Sequence, residues 1–132
     1  MAKGKIMSYI TSWEENGVYW VFSETLTNDD LLISTKKLYA DPRYPNINYT
    51  INDFNAVTEF PIDSSVVRQV AEIDAKHSKI NPNIKVAIVA NSQVIKGLTK
   101  MYQTYFELSI EQDTPFVKIF ETVDDARKWI NN

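Results

Sequence analysis

Four times along this chain a short run of β-type apolar residues gives way to a residue that opens helices well. Residues 18–22 precede Thr27, residues 47–54 precede Asp63 and Ser64, residues 85–90 precede Ser92, and residues 116–120 precede Thr122. Each of these Ser, Thr or Asp side chains offers an oxygen to the unpaired N–H groups of a first helical turn. A strand that leads through a helix to the next strand returns parallel to the first, because a tight turn cannot make that connection. The alternation therefore demands a mainly parallel sheet with helices as crossovers.

The chain begins differently. Residues 7–14 read as a strand, Glu15-Asn16-Gly17 as a turn, and Val18-Tyr19-Trp20-Val21-Phe22 as a second, almost wholly apolar strand. Asn-Gly is a strong hairpin cue because both residues accept positive φ at little cost. The expected order is thus β-β-α-β-α-β-α-β-α. This is an α/β fold: a mixed five-stranded sheet with a leading antiparallel hairpin, later β-α crossovers and four helices.

The first helix carries Asp29 and Asp30 in its opening turn, where carboxylates suit the positive end of the helix dipole. Leu31, Thr35 and Leu38 form its apolar stripe, and Asp41-Pro42-Arg43-Tyr44-Pro45 ends it. A third strand runs over residues 47–54, followed by a loop over 55–62. The second helix opens at Asp63 or Ser64, with Val66, Val70, Ile73 and His77 at helical spacing. Residues 85–90 are β-branched and apolar enough to form the centre of the sheet. A long third helix extends from Ser92 to about residue 111, and the last helix turns Val123, Ala126, Trp129 and Ile130 inward.

Composition narrows the chemistry. The chain has 132 residues, enough for one domain over 1–132 that buries roughly two thirds of its unfolded surface. Residues 1–5 read as a disordered basic tail. With 14 Lys and Arg against 17 Asp and Glu, the surface lacks the positive charge that nucleic-acid phosphates require. The absence of Cys removes thiolate nucleophiles, disulfides and zinc–thiolate sites. One His, three Gly and no Gly-x-Ser-x-Gly elbow leave neither a hydrolytic triad nor a phosphate-cradling loop, so no enzyme and no cofactor is expected. No stretch approaches the ~20 apolar residues of a membrane span, and no signal-peptide core follows the N-terminus, which points to the cytoplasm.

Three features remain as candidate sites. Asp53, Glu59 and Asp63 fall at strand and helix ends, where open α/β sheets bind ligands. Strand-end and cap aspartates have structural roles of their own, so no metal is expected. Met101, Tyr102, Tyr105 and Phe106 crowd two turns of the third helix. They serve either as core or as an apolar face for a protein partner, a second copy of the chain, or an apolar ligand. Asp63-Ser64-Ser65 places two hydroxyls at the start of the second helix, where an added phosphate would meet free N–H groups.

The topology together with Asp63-Ser64-Ser65 resembles the STAS fold of anti-sigma-factor antagonists. Many of these carry Asp-Ser-Ser-Gly or Asp-Ser-Thr-Gly at the start of the second helix, where a partner kinase phosphorylates a Ser. By position the resemblance implies Ser65, and after it Ser64, as phosphoacceptor; Val66 stands where the family places Gly, and the segment from Asp53 to Asp63 is longer than usual. The chain is similar in particular to the SpoIIAA-like branch. The similarity rests on Leu26-Thr27-Asn28-Asp29-Asp30, Asp41-Pro42-Arg43-Tyr44, Asp53, Lys85-Val86-Ala87-Ile88-Val89-Ala90, Gly97 with Met101-Tyr102, and Val117-Lys118-Ile119-Phe120 through Ala126 to Trp129-Ile130. It implies a STAS-like fold related to lipid-binding CRAL-TRIO domains. The expected function is a non-enzymatic, regulatory protein-interaction module acting as a homodimer; the alternative is a binder of a small apolar or lipid-like ligand.

Overall fold

The hairpin that opens the chain joins β1 (Tyr9–Trp13) to β2 (Gly17–Thr25), antiparallel, with Tyr9 opposite Phe22 and Trp13 opposite Val18. These positions come from a computed structural model, which describes residues 8–110 and 117–132. The expected tail over 1–5, Met7 and Phe116 at the expected strand starts, and the far end of the third helix at residue 111 lie outside the described residues. Asn16 and Gly17 do not supply positive φ at the turn, where Glu14 N–H donates to the Gly17 carbonyl at 2.8 Å. Glycine is needed at 17 for another reason. A Cβ there would fall inside the van der Waals envelope of the Tyr49 ring, its partner on the next strand.

The sheet runs β1-β2-β3-β4-β5, with β3 (Tyr49–Glu59), β4 (Lys85–Val89) and β5 (Val117–Phe120) all continuing parallel to β2. Helices α1 (Asn28–Ala40), α2 (Ser64–His77), α3 (Gln93–Ser109) and α4 (Val123–Ile130) make the connections and the final cover, and a single 3-10 turn covers Tyr44–Asn46. The fold class is the one expected from the sequence, with two corrections. The centre of the sheet is β3 and not β4. The apolar run of β4 reflects cover on both faces: Ala87 and Val89 pack toward α4, and Ile88 packs toward α2 and α3. The segment 55–62 is not all loop either, since β3 continues to Glu59. Its register against β2 slips between Val21 and Ser23, so one extra residue of β3 is accommodated near Asn55. Phe54 and Val57, three apart, consequently face the same cluster, and this breaks the period-two pattern that marks a strand. A second slip accompanies Glu24, whose φ of 58° is the left-handed exception among non-glycine residues described.

Side chains alternate across the sheet to two unequal layers. Ile51, Ala87, Val89 and Ala126 are fully buried between the sheet and α4, where alanine on both sides lets backbone approach backbone. The opposite face carries Trp20, Phe22, Phe54 and Ile88 beneath α1, α2 and α3. α1 is fixed by a complete capping box, in which Asp30 N–H donates to Thr27 Oγ1 at 3.2 Å and Asp30 Oδ2 accepts from Thr27 N–H at 3.1 Å. α4 is pinned at its far side by Arg127, which makes a two-pronged bond to the Glu14 carboxylate at 3.0 and 2.8 Å; Tyr49 donates its hydroxyl to the same group. The guanidinium holds the Glu14 carboxyl below the usual carboxylate range.

The two glycines described are expected to respond oppositely to alanine. Gly97 lies inside α3 with open space where a Cβ would go, so Gly97→Ala gains about 0.5–1 kcal/mol in urea unfolding. Gly17→Ala displaces the Tyr49 ring and costs about 1–3 kcal/mol in the same measurement.

Candidate functional site

Asp63 occupies the N-cap position of α2, yet its carboxylate does not cap the helix. It accepts instead from Asn28 Nδ2 at 3.1 Å, while Asp63 N–H donates to Asn28 Oδ1 at 3.0 Å. Asn28 is the first residue of α1, so this reciprocal pair sets the starts of α1 and α2 side by side. Ser64 and Ser65 are exposed in the first turn of α2, which contains no acidic residue, and their hydroxyls have no partner among the described residues. Ser92 likewise takes the N-cap position of α3 without a side-chain bond, whereas Thr122 caps α4 by accepting from Asp125 N–H at 3.1 Å.

Asp53 and Asp63 do not meet. Asp53 lies on the α4 side of the sheet, where its carboxylate accepts from the Tyr19 hydroxyl at 3.4 Å and from Asn55 N–H at 3.0 Å. Asp63 opens a helix on the opposite face. Glu59, at the end of β3, is exposed. Among the described residues no cluster of three His, Asp or Glu side chains is placed to hold a metal ion.

The aromatic stripe of α3 packs inward. Tyr102 and Phe106 are buried, and Met101 and Tyr105 are half-buried against the same cluster. The exposed large apolar residues of this helix are Val94 and Leu108, which fall at helical spacing from Met101 and Tyr105 and extend that outer, half-buried edge of the stripe. Tyr102 and Phe106 help line a partly open cavity of about 140 Å³ between the sheet and helices α1–α3, whose other walls include Trp20, Phe22, Phe54 and Ile88.

One charged side chain in the cavity wall went unread in the sequence. Asp74 of α2 accepts from the hydroxyl of Tyr39 of α1 and from that of Tyr102 of α3, both at 2.5 Å. No Lys, Arg or His lies within ion-pairing distance of it among the described residues. His77, one turn further along α2, is turned away: its Nδ1 lies 2.9 Å from the Ile73 carbonyl, and its ring stacks on Tyr39 at 3.9 Å. Burial raises the Asp74 carboxyl to about 6, with the two phenol bonds and His77 opposing the rise. Burial, reinforced by the nearby Asp74 charge, also drives Tyr39 and Tyr102 well above the ordinary phenol range, and Tyr44 up to about 12. A signal for Asp74 was present in the sequence, since it falls at helical spacing from Val67 and Val70, on the side of α2 that faces the core.

In structure the chain is similar to the anti-sigma factor antagonist SpoIIAA in its unphosphorylated form. The TM-score is 0.63 at 11% identity, over 94% of this chain and 98% of that one. It is also similar to an uncharacterized protein of the DUF3478 family with a SpoIIAA-like fold from Shewanella loihica, with a TM-score of 0.56 at 18% identity over 98% of this chain and 99% of that one. No protein-family model matches the sequence, and no curated protein matches it. The fold is therefore SpoIIAA-like. Among the described residues no helix is long and apolar enough to cross a membrane.

Two measurements check this site. Asn28→Ala removes both halves of the α1–α2 link and is expected to cost more in urea unfolding than Asp63→Ala, which removes one exposed bond worth about 0.5 kcal/mol. For Asp74, the folded state holds a proton more tightly than the unfolded chain does, so the native state gains as pH falls through about 6 toward the ordinary value of 3.8. Between pH 7 and 5 the wild type should gain about 1 kcal/mol relative to Asp74→Asn, in which this titration is absent.

Proposed function

We propose that this chain is a non-enzymatic regulatory module that binds a protein partner and is switched by phosphorylation of Ser65. The observation that carries the reading is the first turn of α2: two exposed hydroxyls without partners, no carboxylate in the turn, and the start of α1 alongside. The likeness to an anti-sigma factor antagonist supports it at the level of fold. A phosphate on Ser65 would accept from the unpaired N–H groups of that turn and sit at the positive end of a 14-residue helix. It would also place about two negative charges two residues from Asp63, beside the start of α1, and change the surface that a partner meets. We place this activity in a bacterial cytoplasm and assign the working unit as a homodimer, with Ser64 the secondary acceptor.

The test begins with phosphosite mapping in the native host, where Ser65 should be modified. Wild-type, Ser65→Ala and Ser65→Asp proteins are then used as baits, with the captured proteins quantified. At least one protein should be retained by wild type and Ser65→Ala and reduced tenfold or more by Ser65→Asp. Ser65→Asp should itself unfold at slightly higher urea, since a carboxylate in the first turn contributes about 0.3–1 kcal/mol. Loss of binding then cannot be ascribed to unfolding. Equal capture by all three proteins would rule out the switch.

A further inference from the structure

We propose that the cavity between the sheet and helices α1–α3 binds a small apolar amine, whose ammonium group docks on the Asp74 carboxylate. This inference stands apart from Ser65 and from any protein partner. At about 140 Å³ the cavity approaches the roughly 150 Å³ of engineered apolar cavities that hold a benzene molecule. It is well below the roughly 300 Å³ at which drug-sized pockets begin, a size that suits a single ring or a short branched chain. The walls are overwhelmingly hydrocarbon, and Asp74 is the one ionisable group among them apart from tyrosine phenols.

The chemistry of the ligand's polar end follows from what Asp74 lacks. Each of its oxygens accepts one phenol hydroxyl, which leaves further lone pairs on both. A half-buried carboxylate in an apolar wall is stabilised when a cation answers it. Among the described residues the ion pairs made by Arg127, Arg43, Arg68 and Lys96 go to Glu14, Asp41, Glu72 and Glu121, and none reaches Asp74. The groups that face Asp74 are Tyr39 of α1, Tyr44 of the 3-10 turn, His77 of its own helix and Tyr102 of α3, and none brings a cation into contact with it. A protonated primary amine on a ring of six or seven heavy atoms supplies the missing positive charge and fills the hydrocarbon space. A carboxylic acid of the same size meets repulsion, and a plain hydrocarbon gains only the apolar contacts.

Isothermal titration calorimetry at pH 7.5 with benzylamine, toluene and benzoate tests this directly. Benzylamine is expected to bind at least tenfold more tightly than toluene, and benzoate not at all. In Asp74→Asn the preference for benzylamine should vanish while toluene binding persists. Should Asp74→Asn fail to fold, Tyr102→Phe provides a second arm. It removes a donor that competes for the carboxylate, so benzylamine affinity should rise, whereas mere damage to the cavity would lower affinity for both ligands. Equal affinities for benzylamine and toluene, or no heat from benzylamine in the wild type, overturns the proposal.

Discussion

Asp74 sits where three helices meet, and its two phenol bonds link the layer that they form over the sheet. Tyr39 reaches it from α1 and Tyr102 from α3, with Asp74 itself on α2 between them. Apolar packing alone is non-directional and would let these helices settle more closely onto the sheet. A half-buried carboxylate is directional in a way hydrocarbon is not: it draws its donors within hydrogen-bond reach and so ties the three helices to one another. Tyr39 gains rigidity from the His77 ring stacked on one side and from the Tyr44 ring meeting it edge-on. The cavity lies beneath that arrangement, with Tyr39, Asp74 and Tyr102 all in its wall.

The two faces of the sheet thus follow opposite rules. On the α4 side, alanines at 87 and 126 bring helix and strand together, leaving no exposed surface on either residue. On the other side, large aromatic residues from β2 and β3 hold the helices at a distance; Phe22 and Phe54 stack with centroids 4.7 Å apart. The high aromatic fraction of the chain is largely accounted for by this thicker layer, in which Tyr9, Trp20, Phe22, Tyr44, Tyr102 and Phe106 are all buried.

Much of this was legible in the sequence, and the parts that were not share a physical cause. Thr27 and Thr122 bond the turns they precede, so local chemistry and position agree there. At Asp63 and Ser92 position alone was legible. Asp63 has a better offer from Asn28, which is 35 residues away in sequence and adjacent only in the fold. The end of β3 was hidden because an extra residue near Asn55 shifts every later side chain to the other parity. Gly17 was placed correctly but for the wrong reason: the Tyr49 ring, and not a turn of positive φ, requires it. The centre of the sheet passed to β3 because apolar density reports cover on both faces and not rank among the strands. Asp74 was overlooked because a polar residue among apolar neighbours on a helix looks like an interruption until its two donors, each from a different helix, are known.

The Arg127–Glu14 bond joins residues 113 apart in sequence, and through it the last helix closes over a face that β1 to β5 have already built. Ile51, Ala87 and Val89 are synthesised before their cover, Ala126 and its neighbours, which comes after everything they support. A ribosome-bound chain that has released α1, α2 and α3 therefore has one side of its sheet finished and the other bare. The apolar strip left showing stays available to chaperones, or to strand-pairing between nascent chains, until residue 130 leaves the exit tunnel.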